Sequence, residues 1–390
     1  MTDGAPRPRV MVVVTAAVTA RLFMRGYVGF LAESGYDVTL VADDVSELGD
    51  VLAQRGVSAF SLPMRRDPSP VHDIRSLARM VALVRRIRPD ALIYATPKAS
   101  LLASTAARML RVPVRVYELW GLRFETASGV SRKIFQGIER AIASSSTAIV
   151  ANSASLAART VGLGIAKADR IAVPASGSSH GVDSEYFSPS AQYPDVDPDT
   201  ALFLERTEGM TIGYVGRLHP DKGVDVLLRA ADRLRARGMA SRVVLVGGDE
   251  GAELPHFEGL AVHATGEIQD VRPYLARFDV LVLMSRREGF PNVVLEAAAM
   301  QVPAVVSDAT GCIDSVEPAV TGMVVPVGAD DQLADALTQL FTHPGQMRTM
   351  GEAARRRAVD AFQPRLVWGA LEQHLHVQLE NHRNPERPTG

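Results

Sequence analysis

MTIGYVGRLHPDKGVDVLLRA, residues 210–230, reads as three segments in succession. A β-branched and aromatic run ends at Gly216, a short loop carries Arg217, Lys222 and Gly223, and Val224 opens a segment of amphipathic helical period. A strand that hands over to a helix through a glycine loop is half of a βαβ unit, and the same reading recurs along the chain. Strands are expected at 9–15, 37–42, 91–96, 114–119 and 147–152, then at 210–216, 241–248, 279–285, 303–308 and 322–327. Continuous apolar strands separated by helical segments predict parallel sheets covered on both faces. The chain is therefore expected to hold two successive α/β domains, over 1–190 and 205–362.

Length agrees, because 390 residues exceed what one core usually holds, and 47% are apolar. The net charge of -2 hides an asymmetry. Residues 1–190 carry 23 Lys and Arg against 16 Asp and Glu, whereas residues 191–390 carry 19 against 28. A basic front half either attracts an anionic partner or merely keeps the protein soluble. Cys312 is the only cysteine, which excludes an intramolecular disulfide and argues for a reducing compartment. The run VMVVVTAAVTA after Arg7 and Arg9 imitates a short signal peptide, but its β-branched start favours a buried first strand. No run of 18 to 20 apolar residues is expected to span a membrane.

Residues 174–208, rich in Ser, Gly, Pro and Asp, read as an interdomain connection. Helical period returns over 363–382, and a Pro/Arg tail over 383–390 is expected to be disordered. Asp195-Val196-Asp197 spells a D-x-D, but it lies in the expected connection and not after a strand. His180, His219 and His263 lack ligand spacing, so no metal is expected. Gly247-Gly248-Asp249 lacks the full G-x-G-x-x-G pattern, which argues against a nicotinamide cofactor.

Two strand-to-helix loops carry chemistry. In the first, Arg217 and Lys222 stand beside Gly216 and Gly223 at a helix start, an arrangement suited to a diphosphate. In the second, RREGFPNVVLE over 286–296, Glu288 is expected on the loop, while Pro291 and Asn292 start a helix that carries Glu296 on its first turns. Carboxylates so placed can grip paired sugar hydroxyls. Equally, Glu288 can be a solvated loop acid and Glu296 an acid favoured by the helix dipole.

The combination of GRLHPDKG with EGFPNVVLEAAAMQVPAVVSDATG resembles the retaining glycosyltransferases of family 4, which have the GT-B fold of two facing Rossmann-like domains. YATPKASLLASTAARMLRVPVRVYELWGLRFET, ANSASL and GSSHGVDSEYFSP extend the resemblance to the bacterial capsule, exopolysaccharide and O-antigen subgroup. The resemblance implies that Arg217 and Lys222 bind the donor diphosphate and stabilise its departing charge. Glu296 would hold the ribose, Glu288 would meet the donor sugar, and the backbone of Gly289, Phe290, Pro291 and Asn292 would assist. The loop over 265–270, with Gly266, would lie against the base. It further implies a retaining, metal-independent hexosyl transfer from a UDP-type nucleotide sugar to a polyprenyl-diphosphate-linked sugar, in the cytoplasm or at the inner face of the membrane. A C-terminal helix is expected to cross back to the N-terminal domain.

The front half departs from the family's wording. Many relatives carry His-Gly after the fourth strand where this chain has Trp120-Gly121, and TAAVTARLFMRG holds no glycine before Gly26. Trp120 is expected either to stack on a sugar or to be a buried aromatic. Lys98 and Arg123, on strand-end loops, are candidates for an acceptor phosphate. Over 76–90, Leu77, Met80, Val81, Val84 and Ile87 share a helical face, with Arg79, Arg85, Arg86 and Arg88 outside it. That face suits packing on the sheet, and the arginines suit steering to an anionic leaflet. No nucleic acid is expected as partner. Three alternatives remain: the same transfer to a soluble acceptor, a nucleotide-sugar 2-epimerase, or a noncatalytic sugar-nucleotide-binding subunit.

Overall fold

The valine-rich run after Pro8 forms β1 (Arg9–Val13), which pairs in parallel with β2 (Asp37–Ala42) on one side and β4 (Ala91–Tyr94) on the other. Between β1 and β2 lie α1 (Ala17–Thr19), a π-helical turn over Ala20–Met24 and α2 (Arg25–Glu33). The chain continues through α3 (Gly49–Ala53), β3 (Val57–Ser61), α4 (Pro70–Ile87), β4 and α5 (Pro97–Met109). Next come β5 (Val114–Leu119), α6 (Gly129–Ser145), β6 (Ala148–Ala151), α7 (Ala154–Gly162) and β7 (Ile171–Ala172). These strands make a seven-stranded sheet ordered β3-β2-β1-β4-β5-β6-β7. The computed structural model describes residues 6–65, 69–251 and 254–384.

A second sheet follows, built from α8 (Pro198–Arg206), β8 (Met210–Val215), α9 (Val224–Ala236), β9 (Ser241–Val246), β10 (Ala261–Gly266) and α10 (Arg272–Leu275). β11 (Val280–Leu283), α11 (Asn292–Ala299), β12 (Ala304–Ser307), β13 (Gly322–Val325), α12 (Asp330–Thr342) and α13 (Pro344–Ala361) complete it. Its order is β10-β9-β8-β11-β12-β13, parallel throughout. The chain ends in α14 (Pro364–Arg383). The tail expected over 383–390 lies, beyond Asn384, outside the described residues. Residues up to His180 and from Arg365 onward form one compact unit, and Gly181–Pro364 the other.

In the first unit both sheet faces are covered. Met80 and Val84 of α4 pack with Ala103 of α5 and Ile142 of α6 against Met11, Leu92 and Tyr117. On the opposite face Val367, Leu371, Leu375 and Leu379 of α14 join Val10, Val12, Tyr27 and Leu31. Their spacing of four puts a single apolar stripe on α14. The Tyr36 hydroxyl then donates to Glu372 at 2.7 Å. In the second unit Gly213 sits mid-strand because a Cβ there would lie 1.9 Å from the Phe278 ring.

The span expected as a connection contains α8, which belongs to the second unit. Asp197 is its N-cap, and both carboxylate oxygens are engaged. Oδ1 accepts the N–H groups of Asp199 and Thr200 at 3.0 Å each, and Oδ2 accepts the hydroxyls of Thr200 at 2.5 Å and Tyr274 at 2.8 Å. Burial alone would raise this carboxyl, but these hydrogen bonds outweigh it and hold it at about 2. Proline at the first helical position and aspartate before it make a helix start that outweighs the local loop-like composition. Asp197→Ala is therefore expected to cost about 1 kcal/mol, seen as earlier thermal unfolding with nucleotide binding unchanged.

Candidate active site

The carboxyl edge of the second sheet is a layer of glycines. Gly216, at the end of β8, has φ +151°, and its N–H donates to Val246 O at 2.9 Å. Gly247 follows β9 with φ +145°; a Cβ there would lie 1.9 Å from Gly216 O. The Gly247 N–H donates to Gly266 O at 2.9 Å, so three strand ends meet without side chains between them. Bare backbone at a strand edge lets a flat or charged ligand approach closely.

Arg217 leaves this layer on the surface, paired with Glu250, its side chain 52% exposed. The buried Tyr214 hydroxyl donates to Arg217 O at 2.7 Å and so fixes the turn. Next, Pro220–Lys222 form a 3-10 turn capped by His219, whose Nδ1 lies 2.6 Å from Asp221 Oδ1. Asp221 is buried and joins this loop to the one after β11. Its Oδ2 accepts from Arg287 at 3.0 Å and its backbone carbonyl accepts the Arg286 N–H at 2.8 Å. Burial would raise the Asp221 carboxyl, but the hydrogen bond from His219 and the charges of Arg287 and Lys222 hold it below the usual range. Gly223 completes the joint at φ +67°, where a Cβ would lie 2.1 Å from Met284 O.

This joint brings two of the expected site residues together. Lys222 Nζ lies 2.5 Å from Glu288 Oε1, and the Ser285 hydroxyl donates to the same oxygen at 2.9 Å. The pair is mostly sheltered, with the two side chains 18% and 17% exposed. The Glu288 N–H donates to Thr310 O at 2.9 Å. Gly311 at φ +80° passes within contact of the Glu288 and Gly289 carbonyls, so the loop is held from both sides.

Glu296 is placed differently. It lies in the second turn of α11, which starts at Asn292 with Pro291 as N-cap, and it is half-buried. Among the described residues no side chain or backbone group hydrogen-bonds its carboxylate. Desolvation pushes it up to about 7. A partly desolvated carboxylate without donors gains from a ligand that brings hydroxyls. Phe290 turns the other way, into a cluster with Leu295 and Phe362, its ring centroid 5.5 Å from that of Phe362.

In the first unit the expected acceptor residues are less open. Lys98 is not on a loop: it sits in the first turn of α5, with Nζ 2.6 Å from both Asp73 oxygens. The turn before it is strained, since Thr96 has φ +67° and is held by its hydroxyl 2.7 Å from that of Thr15. Arg123 is exposed in a 3-10 turn, its guanidinium 5.1 Å from the Phe135 ring centroid. Trp120 is half-buried against the α14-side core, and its indole hydrogen-bonds Glu118.

Glu118 escaped the reading of the sequence. It is 4% exposed, and desolvation, only partly offset by the Trp120 hydrogen bond, raises it to about 8. A glutamate inside the apolar run VRVYEL was the available signal. Asp221, Arg287 and Ser285 were also missed, because they act through contacts between distant loops.

Comparison with known proteins agrees with this layout. Residues 209–343 match the family described as glycosyl transferases group 1, and residues 17–176 match the glycosyl transferase 4-like domain. The chain is 29% identical over 364 residues to the capsular polysaccharide biosynthesis glycosyltransferase CapM of Staphylococcus aureus, covering 92% of this chain and 94% of the relative. It is 30% identical to a GDP-mannose-dependent alpha-mannosyltransferase of Mycobacterium tuberculosis, covering 86% of each. It is 25% identical to the UDP-Gal:alpha-D-GlcNAc-diphosphoundecaprenol alpha-1,3-galactosyltransferase of Escherichia coli, covering 85% of this chain and 87% of the relative. Anabaena HepE, solved with UDP-glucose, superposes with a TM-score of 0.73 at 18% identity, over 95% of this chain and 99% of that one. Two parallel-sheet Rossmann-like units of this kind define the GT-B fold. The chain belongs to the group 1 glycosyl transferases and is a glycosyltransferase.

Proposed function

We propose that this protein is a retaining, metal-independent glycosyltransferase that moves a sugar from a UDP-type donor to a polyprenyl-diphosphate-linked sugar in cell-surface polysaccharide assembly. It would work in the cytoplasm, in peripheral contact with the anionic inner face of the membrane through its basic N-terminal part. The observation that carries the reading is the pairing of Lys222 with Glu288 across two strand-end loops, at the sheet edge that also carries the glycine layer. Lys222 and Arg217 would neutralise the diphosphate as the bond to the anomeric carbon breaks. Glu288 and the backbone of Gly289 to Asn292 would position the sugar, Glu296 would accept the ribose hydroxyls, and Gly266 would border the base. Lys98, Trp120 and Arg123 are the residues proposed for the acceptor, although Lys98 would first have to leave Asp73. The S. aureus and E. coli relatives, named for capsular polysaccharide and for a diphosphoundecaprenol substrate, support the acceptor class.

Incubation with UDP- and GDP-sugars, with and without lipid-linked and soluble sugar acceptors, tests the reading by mass spectrometry of the product. Acceptor-dependent release of UDP is expected. Donor interconversion without acceptor, or tight UDP binding without turnover, would overturn it. Release of GDP from GDP-mannose, the donor in the name of the M. tuberculosis relative, would replace the donor class alone.

Glu296 gives a pH signature. Its folded value of about 7 means that the carboxylate form, which accepts ribose hydroxyls, is filled only as pH rises through 7. Affinity for an intact UDP-sugar, whose diphosphate does not titrate in this range, should therefore rise up to about tenfold between pH 6 and 8, with proton release, by titration calorimetry in two buffers. Glu296→Gln should abolish that slope and lose at least about tenfold in kcat/KM. An unchanged slope in the variant would remove Glu296 from the nucleotide site.

A further inference from the structure

Four of the most exposed large apolar side chains among the described residues gather at one end of the first unit. They are Val71 at 61%, Ile74 at 69%, Val130 at 74% and Ile134 at 56%. Single apolar residues on a surface need no explanation, but these come in pairs on the first turns of α4 and α6. Those helices flank α5 on one face of the parallel sheet, and each follows a strand. Their N-terminal turns therefore share the carboxyl edge of the sheet.

Cations are interleaved with them. On α6 every residue over 129–134 is exposed, with Arg132 and Lys133 between the two apolar positions and no acid in the first turn. Arg75 on α4 and Arg123 just before α6 are exposed too. The acid in the first turn of α4 and the one just before α6 are matched, Asp73 by Lys98 and Glu125 by Arg159. Apolar tips with cations between them fit the interface of an anionic bilayer, where side chains enter the acyl boundary and the charges stay among the headgroups.

We propose that the N-terminal turns of α4 and α6 are the surface by which this protein lies on an anionic lipid bilayer, with Val71, Ile74, Val130 and Ile134 entering the interface. The inference rests on the peripheral contact proposed above and relocates it. Of the cations that the sequence offers for steering, Arg79 lies roughly 12 Å along α4 from Val71, and Arg85, Arg86 and Arg88 roughly 20 to 25 Å. Arg86 is turned onto the Phe60 ring, 4.7 Å from its centroid. Ligands of open parallel sheets meet the carboxyl edge. Docking by this edge brings an acceptor carried in the bilayer to the side of the unit that holds Thr15, Thr96 and Lys98.

Flotation of the full chain with mixed phosphatidylglycerol/phosphatidylcholine vesicles tests the surface. Wild type should float with the mixed vesicles, less so in high salt, and weakly with phosphatidylcholine alone. Val130→Asp with Ile134→Asp should lower partition at least about tenfold, as should Val71→Asp with Ile74→Asp. Met109→Asp, 63% exposed at the far end of α5, should leave it unchanged. Three results would overturn the proposal: no flotation of wild type, wild-type flotation of the double variants, or an equal loss in Met109→Asp. UDP binding, measured in parallel, separates the two readings. A wild type that floats through these residues yet fails to bind UDP keeps the surface and sinks the donor assignment.

Discussion

Lys222→Ala is expected to lower kcat/KM about a thousandfold, some 4 kcal/mol of transition-state stabilisation. The size follows from two losses at one point. The ammonium proposed to meet the departing diphosphate disappears, and Glu288 Oε1 keeps only the Ser285 hydroxyl at 2.9 Å. A sheltered carboxylate with its cation removed repels an incoming diphosphate. Lys222→Arg should recover only part of the loss, because a planar guanidinium cannot reproduce an ammonium point charge 2.5 Å from Glu288. Steady-state rates with donor and acceptor, beside a circular dichroism spectrum, check this. Wild-type kcat/KM in a folded Lys222→Ala would remove the residue from the reaction.

Gly223→Ala should be nearly as damaging, but through the fold. Alanine at φ +67° meets the left-handed penalty of about 1 kcal/mol, and its Cβ would stand 2.1 Å from the Met284 carbonyl oxygen, which is backbone and cannot rotate away. The loops after β8 and β11 would have to part, for a total near 3 kcal/mol. For a unit of this size that is about 8 °C in Tm. Parting the loops also separates Lys222 from Glu288, so UDP binding should fall with stability. Gly238→Ala is the control: φ is +75°, but nothing lies within 4 Å of the added carbon. Equal effects at the two positions would show that backbone conformation alone, and not the joint between the loops, is at stake.

The interior strands were legible in the sequence because they are apolar on both faces. β2 and β5 fall at the expected residues, β1, β4, β6, β8, β9, β11 and β12 within them, and so does one edge strand, β13. The three strands not anticipated, β3, β7 and β10, are all sheet edges. Edge strands bury less; β10 alternates between half-buried and exposed positions and lacks a continuous apolar run. Helix α8 was hidden by a composition typical of linkers, although Asp197-Pro198 is a sound helix start. Arg217, Lys222 and Glu288 fall on the strand-end loops, and Glu296 on the helix, where the sequence places them. Their partners could not be read from it. Asp221 joins Arg287 across 66 residues and Glu250 meets Arg217 across 33, and no local pattern encodes such contacts. Lys98 was expected on a strand-end loop but lies in the first turn of α5, and the carboxylate that holds it comes from the preceding helix.

The first unit is discontinuous in sequence. Its sheet face lined by Val10, Val12 and Tyr27 is finished only by Val367, Leu371, Leu375 and Leu379, after the whole of Gly181–Pro364 has been made. The usual order of synthesis, in which the leading domain folds first, is therefore reversed. The second unit has all its strands on the growing chain before the first has its last layer, so until α14 emerges that face of the first unit is covered only in part, by α2 and its neighbours.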